Sequence, residues 1–184
     1  DRQLGQEVCA LLAGGGYAEY VAVPAGHTLP PPAGLDLETA AGVVEVFATA
    51  WLNLRLEGEL KDEERVLVHA GASGVGTACI RLCKAWGNPI FVTVGDQAKR
   101  EFCLQLGASA SANRHDGPWD EAVRNWGGAD LILDPVGGSY LEMNVNVLKP
   151  RGRLDNIGLM GGAHSTLPKG VLMVKRICLR GPVM

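Results

Sequence analysis

The chain has 184 residues, with 17 Lys and Arg against 20 Asp and Glu and a net charge of −3. Because nucleic acids and anionic membranes select basic surfaces, this balance argues against either as a partner. Hydrophobic residues make up 47% of the sequence, enough for a packed core, but no apolar run reaches the roughly 18 residues of a membrane span. Five cysteines without CxxC spacing argue against a zinc ribbon or a disulfide framework and favour a reducing compartment.

The first third of the chain has the pattern of short strands followed by a helix. An apolar segment at residues 8–12 and an alternating segment at residues 17–23 flank the glycines at 14–16, which predicts a β-hairpin. Asp36 is the predicted N-cap of a single helix that runs to Trp51, because apolar residues between them share one face.

From residue 65 onward, apolar strand patterns alternate with helical ones. Strands are predicted at residues 66–70, 90–94, 109–113, 131–134, 153–157 and 177–180. Helices are predicted at residues 75–86, 97–106, 118–126 and 139–148. Alternation of this kind is typical of a parallel sheet with crossover helices packed on its faces, so the predicted fold class is a doubly wound α/β fold.

A glycine-rich turn joins the first strand of this region to its first helix. Gly71, Gly74 and Gly76 lie in it, and their missing side chains let a ligand approach the backbone. The amides at a helix start have no partner inside the helix and carry a partial positive charge, which suits a diphosphate. The same turn also occurs in strand–helix units that bind nothing, so both interpretations stay open on this motif alone.

Other nucleotide motifs fit the turn less well. A P-loop needs a lysine after its last glycine, but Thr77 follows Gly76 here, which argues against ATP or GTP hydrolysis. The spacing of Gly71, Gly74 and Gly76 also departs from Gly-x-Gly-x-x-Gly, the dinucleotide-binding fingerprint of dehydrogenases. Short-chain reductases need a Tyr-x-x-x-Lys pair, yet the residue four places after Tyr140 is Asn144.

Several motifs follow one another in a consistent order: Gly15-Gly16-Tyr17-Ala18-Glu19-Tyr20, His69-Ala70-Gly71-Ala72-Ser73-Gly74-Val75-Gly76, Leu106-Gly107-Ala108, Asp134-Pro135-Val136-Gly137-Gly138-Ser139 and Gly158-Leu159-Met160-Gly161-Gly162. Together they resemble the zinc-independent quinone oxidoreductases of the medium-chain dehydrogenase/reductase superfamily, and most of all the p53-inducible branch. The resemblance covers nearly the whole chain.

The resemblance implies a Rossmann-type sheet with strand order 3-2-1-4-5-6 beside remnant strands of a GroES-like domain. It divides the chain into an incomplete GroES-like part (residues 1–35), a connecting helix and loop (36–64) and a dinucleotide-binding domain (65–184). In the family, most of the GroES-like domain lies before the position of residue 1, and the chain returns to it after residue 184. We therefore expect this chain to hold the cofactor half of the site and little of the substrate half.

The resemblance also assigns cofactor-binding residues in three groups. The diphosphate turn consists of Ser73, Gly74, Val75 and Gly76. The positions near the nicotinamide are Thr49, Val136, Gly158 and Met160. The positions around the adenosine ribose are Gly95, Lys99 and Arg114, the last of which replaces the tyrosine usual in the family. No catalytic side chain is assigned, and no metal site is expected.

The choice between NADPH and NADH depends on the end of the second strand. Asp96 lies 20 residues after Gly76, a spacing that by itself favours an NAD-selecting carboxylate. The resemblance instead aligns Gly95 with the acidic position, which leaves room for a 2′-phosphate, and Lys99 and Arg114 supply cations to bind it. NADPH is therefore the expected cofactor in preference to NADH.

The expected function is hydride transfer from NADPH to a quinone or to an activated alkene or carbonyl. The alternative is a non-catalytic NADP(H)-binding subunit with a structural or sensing role. The resemblance implies a homodimer formed through the sheet edge near residues 177–180, and the expected location is the cytoplasm, with the mitochondrial matrix left open. His69 is expected to be a structural core histidine, and Cys79 and Cys83 to be buried as small apolar residues.

Overall fold

The computed structural model of the chain describes residues 2–181, which divide into two compact units between Ala48 and Thr49. In the first unit, strand β1 (Cys9–Ala10) pairs antiparallel with β2 (Thr28–Leu29). A short helix, α1 (Leu37–Ala41), follows.

The predicted hairpin between residues 8–12 and 17–23 is wrong. Residues 17–23 form no strand, and β1 pairs instead with β2, Cys9 lying opposite Leu29. Alternation of apolar and polar residues stabilises a strand only where one of its faces is buried. Tyr17 and Tyr20 are both exposed, so the alternating segment does not bury its apolar side chains.

The N-cap prediction at Asp36 is confirmed, because its Oδ1 accepts a hydrogen bond from the Thr39 amide at 2.7 Å. The single predicted helix is split, however. The first helix ends at Gly42, and helix α2 (Val44–Trp51) begins two residues later and continues into a π-helical turn over residues 52–57.

The second unit contains a six-stranded parallel sheet. Its strands are β3 (Val66–Val68), β4 (Ile90–Val94), β5 (Ala110–Asn113), β6 (Ala129–Asp134), β7 (Leu148–Asn156) and β8 (Cys178–Arg180). Their order is β5-β4-β3-β6-β7-β8, the Rossmann order 3-2-1-4-5-6 that was predicted. The order reverses between β3 and β6, and the crevice at the carboxyl ends of strands beside such a reversal is where ligands bind in open α/β sheets.

Helices connect these strands and cover the sheet. They are α3 (Gly74–Trp86), α4 (Gln97–Leu106), α5 (Trp119–Trp126), α6 (Tyr140–Val147) and α7 (Lys169–Lys175). On one face of the sheet, Leu67, Phe91, Ile132 and Leu154 pack with side chains from α5 and α6 in one buried cluster. Burying a large apolar side chain of this kind contributes about 1.5–3 kcal/mol.

The cysteines of α3 are buried, as predicted: Cys79 and Cys83 are both 0% exposed. Burial raises the pKa of Cys83 to about 12 and that of Cys79 well above its ordinary value, because a thiolate is poorly solvated there. Both thiols therefore remain protonated at neutral pH and act as packing groups.

The elements of this unit differ from the sequence prediction in several places, and the largest boundary difference is at strand β7, which begins at Leu148 rather than at residue 153. Strand β3 ends at Val68 rather than residue 70, because Ala70 has a left-handed backbone conformation, with φ of 54°. Helix α7 was not predicted at all, since it has only seven residues and leaves Met173 and Val174 exposed, so it lacks a sustained apolar periodicity.

Asp155 is a carboxylic acid buried within strand β7, beside Arg180 of strand β8. Neither of its oxygens has a hydrogen-bond partner in the described part of the chain. Burial raises its pKa to about 6, although Arg180 and Arg153 lie near enough to oppose the shift. The folded chain therefore holds this proton more tightly than the unfolded chain does. As a result, the contribution of Asp155 to the free energy of unfolding is fully present below pH 3.8 and is lost as the pH rises through about 6.

The substitution Asp155→Asn tests this pH dependence by removing the buried charge at constant size. We expect a higher Tm than that of the unsubstituted protein at pH 8, with the difference shrinking below pH 5, where Asp155 is itself protonated. Thermal unfolding followed by circular dichroism between pH 4.5 and 8 measures the effect. The exposed Asp62→Asn variant is the control, and a Tm difference for Asp155→Asn that does not vary with pH would contradict the account.

Candidate functional site

The turn between β3 and α3 brings backbone segments into unusually close contact. A Cβ atom added at Gly76 would lie 2.5 Å from the Gly71 carbonyl oxygen and 2.6 Å from that of Ala70, and one added at Gly71 would lie 2.4 Å from the Val92 side chain. Both positions therefore require glycine for packing inside the turn. The shape of the turn therefore depends on glycine at both positions.

Ser73 is the N-cap of α3, and its hydroxyl accepts a hydrogen bond from the Gly76 amide at 3.1 Å. The first amides of a helix lack partners inside it. Because the Gly76 amide already donates to the Ser73 hydroxyl, the amides of Gly74 and Val75 are the ones suited to a diphosphate. The helix dipole also favours negative charge at this end of α3.

A cavity of about 290 Å³ lies beside this turn at the carboxyl ends of the central strands. Six of the eleven residues assigned from the resemblance line it: Ser73, Gly95, Lys99, Arg114, Val136 and Met160. Five residues that the sequence did not single out complete the wall: Ala70, Ala72, Thr93, Val94 and Tyr140. Ligand sites typically occupy roughly 300–1,000 Å³, so this cavity fits part of a dinucleotide and not all of one.

The remaining assigned residues lie outside the cavity wall. Gly74, Val75 and Gly76 form the first turn of α3. Thr49 lies in α2, where its carbonyl oxygen accepts a hydrogen bond from the Asn53 side chain. Gly158 packs against the preceding loop, since a Cβ there would lie 2.7 Å from the Pro135 carbonyl oxygen.

The end of β4 brings two cations to one wall of the cavity. Gly95 lines the cavity, and a Cβ added there would make only ordinary contact with the Arg114 guanidinium, 3.8 Å from its Nη2. Lys99 lies one turn into α4, and its Nζ is 2.9 Å from Oδ2 of Asp96. A phosphate would thus find room at Gly95 and positive charge on two sides.

Tyr140 extends this wall from the first turn of α6. Burial raises the pKa of Tyr140, and Arg114 opposes the shift, so the hydroxyl stays protonated at neutral pH. The signal that could have identified this residue is its place in the helix that follows β6, near the crevice predicted by the fold.

A buried network supports the cavity from below. His69, at the end of β3, is fully buried, with Nδ1 2.8 Å from Oγ1 of Thr93 and Nε2 2.7 Å from Oδ1 of Asn144. The Asn144 amide nitrogen donates to Oδ2 of Asp134 at 2.9 Å, and Oδ1 of Asp134 accepts from the amides of Val136 and Gly137. The network thereby ties β3, β4, β6 and α6 together under the site.

The network also fixes the protonation of His69. Because Asn144 donates its N–H to Asp134, its oxygen must accept from the histidine, so Nε2 carries the proton and Nδ1 accepts from the Thr93 hydroxyl. Burial lowers the pKa of His69, which keeps it neutral at neutral pH. The prediction of a structural core histidine is confirmed.

The loop after β7 is held against the loop after β6. The Gly161 amide donates to the Val136 carbonyl oxygen at 2.7 Å, and the Met160 amide donates to that of Pro135 at 3.2 Å. These bonds hold the backbone at two residues of the predicted nicotinamide end, Val136 and Met160.

Among residues 2–181, no group of three or more His, Cys, Asp or Glu side chains is arranged to hold a metal ion. Within the same residues, no helix combines the length and the apolar character needed to cross a membrane.

Comparisons with known proteins agree with this geometry. The family model described as zinc-binding dehydrogenase matches residues 74–184. The chain is 34% identical over 160 residues to the synaptic vesicle membrane protein VAT-1 homolog of Danio rerio, which covers 86% of this chain and 33% of that protein. It therefore spans about a third of the length of this relative.

Two solved structures share the fold. The quinone oxidoreductase of Thermus thermophilus, also solved in complex with NADPH, is 34% identical with a TM-score of 0.88, over 100% of this chain and 59% of that one. The Escherichia coli quinone oxidoreductase complexed with NADPH is 27% identical with a TM-score of 0.77, over 85% of this chain and 49% of that one. The chain therefore belongs to the zinc-binding dehydrogenase family, and, as its motifs indicated, it is similar in sequence and fold to quinone oxidoreductases.

Proposed function

We propose that this chain is the cofactor-binding part of an NADPH-dependent oxidoreductase that transfers a hydride to a quinone or to an activated alkene or carbonyl. The observation that carries the proposal is the cavity beside the β3–α3 turn, where Gly95 is flanked by Lys99 and Arg114. The NADPH complexes of the Thermus and Escherichia quinone oxidoreductases support it.

The residues present fit such a cofactor. Helix α3 begins at the cavity with a capped but otherwise free first turn, which suits the diphosphate. The two cations beside Gly95 suit the 2′-phosphate of NADPH, since charge-assisted hydrogen bonds to phosphate are among the stronger ones. Ser73, Gly74, Val75, Gly76, Gly95, Lys99 and Arg114 are therefore proposed to bind the adenosine and diphosphate portion.

Bound NADPH would supply the hydride, and the contribution of the protein is then to bind, orient and exclude water. Val136 and Met160 line the cavity, and their backbones are held by the bonds between the two loops, so they suit an apolar, immobile wall near the nicotinamide. With Thr49 and Gly158 they form the proposed nicotinamide end. A quinone is electrophilic enough to need little proton donation from a side chain, in keeping with the neutral, fully hydrogen-bonded His69.

The direct test is NADPH oxidation, followed by the loss of nicotinamide absorbance, with a panel of ortho- and para-quinones and activated enones, each assayed with NADH in parallel. We expect quinone-dependent oxidation that is faster with NADPH at low cofactor concentration. Because the chain spans only part of its relatives, the assay should include the longest form of the protein that the gene encodes. Cofactor binding without oxidation by that form would contradict the catalytic proposal.

The second candidate is a non-catalytic NADP(H)-binding subunit. Cofactor binding without oxidation would favour it. It draws support from the Danio rerio relative, whose name describes a vesicle membrane protein and no reaction.

We also propose that the chain forms a homodimer through strand β8. This strand pairs only with β7 among the described strands, and its Cys178 and Leu179 are exposed. Unpaired edges of this kind favour pairing with a second chain.

An exposed free thiol in this position also suits a reducing compartment, the cytoplasm or the mitochondrial matrix.

Light scattering at micromolar concentration tests the dimer. We expect twice the chain mass for the unsubstituted protein and the monomer mass for Leu179→Lys, because a lysine at the edge opposes strand pairing. A monomer in both cases, with folded circular dichroism spectra, would contradict the proposal.

A further inference from the structure

Asp96 directly follows Gly95, beside which the 2′-phosphate is proposed to bind, and its structural role differs from the one that its spacing suggests. We infer that Asp96 is a specificity-determining residue that weakens the preference for NADPH over NADH, because it competes with the 2′-phosphate for Lys99. The inference rests on the proposed dinucleotide site and adds to it the residue that tunes its selectivity.

Both oxygens of the Asp96 carboxylate are already engaged in the first turn of α4. Oδ1 accepts a hydrogen bond from the Lys99 amide at 2.8 Å, as the N-cap of the helix. Oδ2 lies 2.9 Å from the Lys99 Nζ in an ion pair. These bonds to Lys99 lower the pKa of Asp96, so the carboxylate is charged at neutral pH.

This geometry differs from the one expected of an NAD-selecting carboxylate. Such a residue must accept hydrogen bonds from the ribose hydroxyls, whereas Asp96 directs its oxygens to the backbone and the side chain of Lys99. The carboxylate therefore acts where a phosphate would act, as an anion bound to Lys99.

Arg114 is in a different situation. Its guanidinium is the nearest group to a Cβ added at Gly95, and within residues 2–181 no carboxylate lies within ion-pair distance of it. Its Nε donates a hydrogen bond to Nε2 of His115 at 3.2 Å. Of the two cations on this wall, Arg114 is thus available to a phosphate, while Lys99 must first leave Asp96.

The competition is small enough to be overcome by a phosphate. The Asp96 and Lys99 side chains are 49% and 57% exposed, and exposed ion pairs are weak. Lys99 must give up its ion pair with Asp96 to bind a 2′-phosphate, and the loss of an exposed pair of this kind corresponds to up to about a fivefold loss of affinity.

The variant Asp96→Asn separates charge from capping, because asparagine caps helices about as well as aspartate. Binding of NADPH and NADH is measured by nicotinamide fluorescence, and binding of 2′,5′-ADP and 5′-AMP by calorimetry, on the chain without any substrate. We expect about fivefold tighter binding of NADPH and 2′,5′-ADP, with the Kd of NADH and 5′-AMP changed less than twofold. The matched control is Asp36→Asn, since Asp36 caps α1 with the same bond to the amide three residues later.

The double variant Asp96→Asn/Lys99→Gln tests the route of the effect. If Asp96 acts by occupying Lys99, then removing the Lys99 charge should remove most of the effect of Asp96→Asn. The double variant should therefore bind NADPH nearly as tightly as Lys99→Gln alone. An unchanged NADPH-to-NADH ratio in Asp96→Asn would overturn the inference, and so would weaker NADH binding, which would identify Asp96 as a ribose ligand. Failure of the unsubstituted chain to bind either cofactor would overturn the proposed function itself, a distinguishable result.

Discussion

Gly76→Ala should unfold the β3–α3 turn and abolish dinucleotide binding. The added Cβ would lie 2.5 Å from the Gly71 carbonyl oxygen and 2.6 Å from the Ala70 carbonyl oxygen. These are backbone atoms at the hinge between strand and helix, so the helix must move away from the strand. Overpacking of this kind costs about 3 kcal/mol, and the displaced amides could no longer meet a diphosphate.

Chemical denaturation and fluorescence titration with NADPH measure the two effects in the same samples. The control is Gly170→Ala in α7, where a Cβ meets nothing within 4 Å, and it should leave stability unchanged or raise it by about 0.5 kcal/mol. Normal stability of Gly76→Ala would show that the turn is looser than the structure describes. Lost stability with unchanged NADPH affinity would place the cofactor elsewhere.

Asn144→Leu should destabilise the protein by about 3–5 kcal/mol. Asn144 is fully buried and bridges His69 and Asp134. Leucine leaves the His69 N–H and one Asp134 oxygen without partners in the interior, and each buried group left unpaired costs about 1–3 kcal/mol, more for a charged one. Since Asp134 also holds the amides of Val136 and Gly137, the cavity wall should loosen as well.

The exposed Asn146→Leu on the same helix is the matched control and should stay within about 0.5 kcal/mol of the unsubstituted protein. Urea denaturation gives both values, and NADPH titration of the folded variants reports on the wall. A change for Asn144→Leu no larger than that of the control would mean that the network contributes nothing to stability.

The sheet could be predicted from the sequence because its central strands are buried on both faces. Segments such as Val66–Val68 and Ile90–Val94 are continuous apolar runs separated by amphipathic helices, and that pattern allows few other folds. The N-cap at Asp36 was readable for a similar reason, since a cap is a local interaction between residues three apart.

Features that depend on distant contacts could not be predicted. The pairing of β1 with β2 depends on residues that are 18 to 20 positions apart, and nothing near Tyr17 indicates that its segment has no buried face. The His69–Asn144 bond joins residues 75 positions apart. Tyr140 enters the cavity wall only because α6 follows a strand beside the reversal of strand order.

The position of Asp96 shows the same limit within the site. Its spacing from Gly76 suggests a ribose-binding carboxylate, but the orientation of its side chain is set by the unpaired amide and the cation of Lys99 one turn away. A spacing rule cannot distinguish these two uses of one carboxylate.

The most direct test of the dinucleotide site is an amide-resolved NMR titration of the ¹⁵N-labelled chain with NADPH. The diphosphate and 2′-phosphate contacts predict large shifts at Gly74, Val75 and Gly95 and at the side chain of Arg114, with small shifts across α5 and α7. Saturating NADPH that leaves these signals in place, or moves signals only elsewhere, would contradict the assignment of this cavity as the cofactor site.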